Sequence, residues 1–188
     1  MNKKGSWWIW VGGILIFLLL IVIFLYFTLF SPNHENYYSS LEAAGTLVNP
    51  VSALNNEQAV NQFDDSFVYY LLVSIKAYNL HNPPLSSDTP KMNIYVDNLT
   101  YSAEIVNGEI KIYTGEINNP DINIRTTKDE AVKMLRTTSY ISVSFQEGKS
   151  SVEKIAGQST LFGKGYLNLY NQITGSGLTG NVIRIYTS

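Results

Sequence analysis

An uncharged and strongly apolar segment near the start of the chain, residues 7–30, limits what the sequence can fold into more than any other feature. It contains 24 residues. As a helix it would extend about 36 Å, at about 1.5 Å per residue. The hydrocarbon core of a bilayer is about 30 Å thick, so such a helix can cross it with some tilt. We therefore predict a transmembrane anchor, with a short cytoplasmic tip, within residues 1–30.

The distribution of basic residues predicts the orientation of this anchor. Lys3 and Lys4 precede the apolar segment, and the next Lys or Arg after it is Lys76. Basic residues that flank a membrane span are retained on the cytoplasmic side. The sequence therefore predicts a single-pass protein of the cell membrane, with a cytoplasmic N-terminus and an extracytoplasmic C-terminal domain.

Two kinds of processing are alternatives to a permanent anchor. A cleavable secretory signal usually has an apolar region of about 7 to 15 residues that ends at small residues. The present segment is longer and ends with large residues from Tyr26 to Phe30, which favours an uncleaved anchor. The sequence Lys3-Lys4-Gly5 before an apolar helix also resembles an archaeal prepilin leader, and this alternative stays open.

The remainder of the chain divides into a linker and one domain. Residues 31–55 contain Pro32, Pro50 and several Asn and Ser residues, which is typical of a connecting segment. Residues 56–188 are numerous enough for a domain with its own core. The chain has no cysteine, so that core must form without disulfides. A net charge of −2 without a basic cluster argues against nucleic acid as a partner.

Helical and strand-like patterns follow one another in residues 55–188. Helices are predicted at 55–78, from the cap signal of Asn55 with Gln58, at 128–135, from the cap signal of Thr127 with Glu130, and at 158–173. Alternating apolar residues predict strands at 92–96, 101–105, 110–112, 122–124, 141–145, 152–155 and 182–186, with a hairpin turn at Asn107-Gly108. Hairpin-linked strands with helices gathered on one face indicate an α+β domain with an antiparallel or mixed sheet of about five strands.

Part of this order resembles the sterol carrier protein type-2 (SCP2) family. The matching features are VNGEI at 106–110, PDINIRTT at 120–127, the helix at 128–135, the turn Gly148-Lys149 and the helix at 157–173. They lie within residues 92–173. The resemblance, to a membrane-anchored, archaeal-type variant, implies a sheet covered by helices around an apolar tunnel for acyl chains or sterols. It also implies a domain without catalytic activity.

An apolar ligand pocket is the functional site that we predict. The chain has 13 Tyr and 8 Phe, more aromatic residues than a small core needs, and a ring of them around a cavity suits an apolar ligand. The predicted lining residues lie on the faces of the helices and of the 141–145 strand: Phe63, Phe67, Leu71, Phe145, Phe162, Tyr166 and Leu169. Helical spacing of such residues is also typical of an ordinary core, and this alternative stays open.

Sites of other kinds are not predicted. The chain has two histidines, His34 and His81, and no cysteine, so no metal-ligand cluster is expected. No catalytic residues and no cofactor-binding residues are predicted. Lys164 lies between two glycines, which indicates either close helix packing or the mouth of a pocket. Asn98-Leu-Thr100 is an acceptor pattern for N-glycosylation on the predicted external side.

These features predict a non-enzymatic domain that is anchored in the membrane and lies outside the cytoplasm. Its expected role is to bind an apolar or lipid ligand, or to dock a protein partner, at the membrane surface. Two alternatives belong to a structural class: a pilin-like subunit of a surface assembly, or an accessory single-span subunit of a membrane complex.

Overall fold

The computed structural model describes residues 6–29 and 34–175, with only the backbone described at 6–9, 24–29, 34–36 and 42–43. The chain forms two compact units, Met1–Asn33 and His34–Ser188. The first contains helix α1, Ser6–Leu29, which has 24 residues. Its apolar side chains at 14–23 are exposed. The described side chains of α1 cover residues 10–23.

No helix in the described part of the chain combines the length and the apolar character that a membrane crossing requires. The transmembrane anchor that the sequence predicts for residues 1–30 is therefore not shown by the structure. It stays a prediction.

The second unit is built around a five-stranded mixed sheet, and the predicted α+β class is confirmed. Its strands are β1 (Lys91–Val96), β2 (Leu99–Val106), β3 (Glu109–Thr114), β4 (Ile122–Thr126) and β5 (Ser151–Lys154). The strand order is β3-β2-β1-β4-β5, in which β1 and β4 are parallel and the other neighbours are antiparallel. The predicted Asn107-Gly108 turn connects β2 and β3, and both residues have the positive φ that this hairpin requires, 51° and 80°.

Helices pack on one face of this sheet. They are α2 (His34–Ala43), α3 (Asn56–Asn61), α4 (Asp65–Ser74), a 3-10 turn (Ala77–Asn79), α5 (Lys128–Arg136), α6 (Tyr140–Gln146), α7 (Gln158–Gly163) and α8 (Tyr166–Thr174). The strands contribute alternate residues to the core, such as Met92, Ile94 and Val96 of β1. Their neighbours on the opposite face, Asn93 and Tyr95, are polar. This alternation is expected for a sheet with helices on one side.

The predicted linker at 31–55 belongs partly to the folded unit, which begins at His34. Helix α2 lies in this segment, and Tyr38 and Val51 are buried in the core. The hydroxyl of Tyr38 donates a hydrogen bond to the carbonyl oxygen of Gly108 at 2.9 Å, and its ring stacks on that of Tyr78. These residues resemble a linker because their apolar periodicity is weak. The buried side chains of Tyr38 and Val51 nevertheless hold them to the domain.

The predicted helix at 55–78 is divided into α3, α4 and the 3-10 turn. The capping box at its start is present, because Asn55 and Gln58 exchange side-chain and backbone hydrogen bonds. The interruption occurs at Asp64, whose side chain accepts a hydrogen bond from the backbone amide of Ser66 and so caps α4. A capping residue inside an apolar periodic run therefore starts a new helix.

The strand predicted at 141–145 is wrong, because these residues belong to α6. Ile141 and Ser144 are buried three positions apart, as one helical face requires. In so short a run the apolar pattern fits both a strand and a helix. The strand predicted at 152–155 corresponds to β5, and the helix predicted at 158–173 is divided into α7 and α8. The strand predicted at 182–186 lies outside the described residues.

A buried polar network joins α5 to α6 and to the start of β5. The carboxylate of Glu130 accepts hydrogen bonds from Lys133 at 2.8 Å and from Tyr140 and Ser144 at 3.0 Å. Burial by itself would raise the pKa of Glu130, but the hydrogen bonds from Lys133, Ser144 and Tyr140 outweigh it and lower this pKa. The hydroxyl of Ser144 also lies 2.9 Å from that of Ser150. The network fixes the loop that leads into β5.

Candidate functional site

An apolar cavity of about 400 Å³ lies between the β4-β5 side of the sheet and helices α7 and α8. The sheet contributes its floor, and α7 and α8 contribute its roof. Residues from three segments line it: Ile122, Val152, Lys154, Ala156, Gln158, Leu161, Phe162, Tyr166, Leu167, Leu169, Tyr170 and Ile173. Most of these side chains are aliphatic or aromatic, as in pockets for small molecules.

The floor follows from the strand register. Ile122 of β4 lies opposite Lys154 of β5, and Ile124 lies opposite Val152. Side chains two residues apart project from the same face of a strand, so Val152 and Lys154 both face the helices. Glu153 between them projects to the other face, where it accepts a hydrogen bond from Asn123 at 3.0 Å.

The roof follows from helical spacing and from one glycine. One face of α8 carries four apolar or aromatic residues that recur three or four positions apart, namely Tyr166, Leu169, Tyr170 and Ile173. Gly165 has a φ of 82°, in the left-handed region that favours glycine, and it separates α7 from α8. The resulting bend brings both helices over the same part of the sheet.

Three of the predicted pocket residues line this cavity, namely Phe162, Tyr166 and Leu169. Phe162 is 72% exposed at its edge, whereas Tyr166 and Leu169 are buried. Apolar helical spacing indicated the face that these residues share. The contribution of the sheet was not predicted, although the alternation of Val152 with polar neighbours was a signal for it.

The other four predicted pocket residues do not line the cavity. Phe63, Phe67 and Leu71 are buried in the core, and the rings of Phe63 and Phe67 lie 4.9 Å apart. Phe145 is half-buried and packs against the same core from α6. Periodicity identifies the inner face of a helix, but the part of the sheet that this face covers depends on the chain topology.

The polar groups of the cavity lie at its rim. Lys154 and Gln158 are both exposed, and the ammonium nitrogen of Lys154 lies 5.1 Å from the centre of the Tyr170 ring. That distance is within the range of a cation–π interaction. The buried lining residues include Leu161, Leu169 and Ile173. The site therefore has an apolar interior and one cationic edge.

A buried ion pair supports the bend between α7 and α8, and the sequence did not indicate it. The side chain of Lys164 is 2% exposed and that of Asp121 is 5% exposed. Lys164 Nζ lies 2.8 Å and 3.0 Å from the two carboxylate oxygens of Asp121. It also lies 2.8 Å from Asp88 and donates to the carbonyl oxygen of Thr89 at 2.9 Å. All three hydrogens of this ammonium group therefore have acceptors.

The same carboxylate holds one residue of the cavity wall. The hydroxyl of Tyr166 lies 3.0 Å from Asp121 Oδ2 and 3.1 Å from the carbonyl oxygen of Lys91. Burial is the main reason that the pKa of Tyr166 is raised well above its ordinary value, and the negative charge of Asp121 adds to this effect. Tyr166 is therefore neutral at physiological pH. Its ring lines the cavity while its hydroxyl is bound within the protein.

The remaining residues that the sequence singled out lie apart from the cavity. Asn98 is exposed in the turn between β1 and β2. His81 Nδ1 lies 2.9 Å from the carbonyl oxygen of Asn82. Across the described ranges 6–29 and 34–175, no group of three or more His, Cys, Asp or Glu residues could hold a metal ion.

Comparisons with known proteins give structural similarities. No protein-family model and no curated protein matches the chain. Sterol Carrier Protein 2 Like 2 (SCP2-L2) from Aedes aegypti has 13% identity and a TM-score of 0.34, over 59% of this chain and 96% of that one. The ubiquinone synthesis protein UbiJ-SCP2 has 9% identity and a TM-score of 0.34, over 76% and 93%.

A double mutant of the sec-alkyl sulfatase PisA1 is also similar, with 12% identity and a TM-score of 0.40. The match covers 67% of this chain but spans only 18% of the sulfatase. SCP2 domain proteins are therefore among the structural neighbours. At these identities and TM-scores, the similarities assign neither a family nor a function to the chain.

Proposed function

We propose that this chain is a non-enzymatic, SCP2-like domain that binds an apolar or lipid ligand next to a membrane. The observation that carries the proposal is the cavity of about 400 Å³ beneath α7 and α8, with a mostly apolar lining. Its volume lies within the range of about 300 to 1,000 Å³ that is usual for ligand pockets. The exposed ring of Phe162 at the edge extends the apolar surface outward.

The physical reason for an apolar ligand is the composition of the interior. Each buried methylene group contributes about 0.8 kcal/mol of transfer free energy. Part of this gain is offset by the ordering of the ligand and of side chains. A ligand that placed polar groups among Leu161, Leu169 and Ile173 would lose their hydration without hydrogen bonds in return. An acyl chain or a similar hydrocarbon has no such cost.

The arrangement of ionisable groups supports a non-enzymatic role. The side chain of the buried Lys164 is held by acceptors on Asp121, Asp88 and Thr89, within the protein and away from the cavity lining. The carboxylate of Glu130 is likewise occupied by Lys133, Tyr140 and Ser144. These groups hold helices and strands together.

The proposal includes the membrane location that the sequence predicts. Residues 7–30 would anchor the chain, with Lys3 and Lys4 on the cytoplasmic side and the cavity outside the cytoplasm. The exposed Asn98 would then be accessible to a glycosyltransferase of that compartment. The N-terminal sequence of the mature protein tests this part, because cleavage after Gly5 would instead favour the pilin-like alternative.

Photolabelling of the full chain tests ligand binding directly. The chain is reconstituted in phosphatidylcholine nanodiscs with a hexadecanol that carries a diazirine, and the labelled peptides are mapped by mass spectrometry. We expect labels on peptides that contain β5, α7 or α8. The bilayer also gives the probe access to residues 7–30, so labels there serve as an internal control for the predicted anchor.

A matched pair of tryptophan variants separates the cavity from the protein surface. Ala156 lines the cavity, whereas Ser159 is exposed and is not a lining residue. Ala156→Trp should fill the cavity and remove the labels, and Ser159→Trp should leave them in place. The proposal fails if the cavity peptides are unlabelled in the wild type, or if Ala156→Trp labels as strongly as Ser159→Trp.

A further inference from the structure

We infer that the ligand of this cavity is a single-chain amphiphile with one negative charge, and that Lys154 binds its head group. This inference rests on the proposed function, because it specifies the chemistry of the same site. The apolar interior would hold the hydrocarbon chain. The charge of Lys154 at the rim would favour an anionic head group over a neutral one.

The position of Lys154 is the first observation. It is the last residue of β5, and it lies on the same face as Val152, opposite Ile122 in the sheet register. It lines the cavity and is also exposed, so its ammonium group lies where the apolar interior meets water. Gln158, at the start of α7, adds an amide group to the same rim.

The second observation is that the chain segment that follows Lys154 contains no acid. After Glu153 the sequence contains no Asp or Glu up to Ser188. Helices α7 and α8, which form the roof, therefore have no carboxylate. On β4 and β5, Glu153 lies on the opposite face of the sheet, 3.7 Å from Arg125.

The buried acid that precedes β4, Asp121, is already engaged by other groups. Asp121 is bound by Lys164, Tyr166 and the amide of Lys91. Lys154 is the one charged residue among those that line the cavity, and no ion pair of the described residues includes it. Its described contact is the ring of Tyr170. A ligand anion can therefore approach the ammonium group without displacing a protein carboxylate.

Because a single lysine lies at the exposed rim, we expect a ligand with a single negative charge. We also expect only a moderate preference for an anionic over a neutral head group. Exposed ion pairs are weak, because water and salt screen them. We expect a threefold to fivefold preference for the anionic over the neutral head group at low ionic strength. Added salt should reduce this preference, while binding of the hydrocarbon chain should continue.

Two probes of equal chain length test the inference with the full chain in phosphatidylcholine nanodiscs. One is a hexadecanoate and the other a hexadecanol, with the diazirine at the same carbon. Labelling of the cavity peptides is quantified at pH 8.5 and low salt for the wild type, Lys154→Met and Lys154→Arg. Lys128→Met is the control, since Lys128 is a half-buried lysine of α5 that does not line the cavity.

The expected result is a preference for hexadecanoate in the wild type, Lys154→Arg and Lys128→Met, and its loss in Lys154→Met. Equal labelling by the two probes in the wild type would overturn the inference, and so would a preserved preference in Lys154→Met. In both cases strong labelling by the alcohol would leave the proposed function intact. Failure of both probes to label the cavity would contradict the proposed function as well.

Discussion

Replacement of Lys164 by methionine tests whether the buried ion pair determines the stability of the domain. Methionine keeps most of the apolar length of the side chain but removes its charge. The carboxylate of Asp121, 5% exposed, would then remain buried without its cation. Removing one partner of such a pair usually costs about 3 to 5 kcal/mol. Asp121 would keep two neutral donors, the amide of Lys91 at 2.8 Å and the hydroxyl of Tyr166 at 3.0 Å. We therefore expect a loss near the lower end, about 3 kcal/mol.

Pulse proteolysis of the full chain in urea, in dodecyl maltoside micelles, measures this free energy of unfolding. Domains of this kind are usually stable by about 5 to 15 kcal/mol, so the variant should still fold. The control is Lys128→Met at the half-buried first position of α5, which should change the stability by only about 0.5 kcal/mol.

A second substitution distinguishes charge from packing. Asp121→Asn removes the buried negative charge but keeps an oxygen that can accept from Lys91 and Tyr166. Added to Lys164→Met, it should therefore restore part of the lost stability, by about 1 kcal/mol or more. A cost below about 1 kcal/mol for Lys164→Met would refute the reasoning, and so would a double variant whose losses simply add.

Three further predictions concern other parts of the domain. Tyr38→Phe removes the hydrogen bond to Gly108 and should lower the free energy of unfolding, measured by urea denaturation, by about 0.5 to 1.5 kcal/mol. An unchanged free energy of unfolding would show that α2 does not pack against the domain in this way. The lowered pKa of Glu130 stabilises the folded state above the unfolded pKa of about 4.3. This contribution to the free energy of unfolding is lost as the pH falls through the lowered pKa of the folded state. Glu130→Gln should therefore make the free energy of unfolding depend less on pH between the unfolded and the folded pKa. An unchanged dependence at acidic pH would contradict the role given to Glu130. Phe162→Ser should alter the midpoint of denaturation little, because the ring is 72% exposed, yet it should reduce cavity labelling.

Elements specified by local chemistry could be predicted from the sequence. The Asn107-Gly108 hairpin requires positive φ at two adjacent residues, and Asn-Gly is a favoured pair for this. The side chains of Asn55 and Thr127 cap helices by accepting hydrogen bonds from backbone amides three positions further along the chain. The strands β1 to β4 could be predicted for a similar reason. One face of the sheet is buried, so apolar and polar residues alternate along each strand.

Features that depend on distant contacts could not be predicted in this way. The Lys164–Asp121 pair joins residues 43 positions apart, and its two members lie in unrelated local patterns. The cavity combines β4, β5, α7 and α8. The sequence indicated its roof, through Phe162, Tyr166 and Leu169, but not its floor. Phe63, in contrast, had the same apolar spacing and lies in the core.

The shortness of β5 has a consequence for how a ligand enters and leaves. β5 has four residues, and in the described part of the chain it pairs only with β4. Separating it breaks few hydrogen bonds, and segments of this kind open more readily than the body of a domain. We therefore expect its amide protons to exchange with deuterium before those of β1. The residence time of a ligand would then follow the opening of this one strand, while the rest of the sheet stays closed.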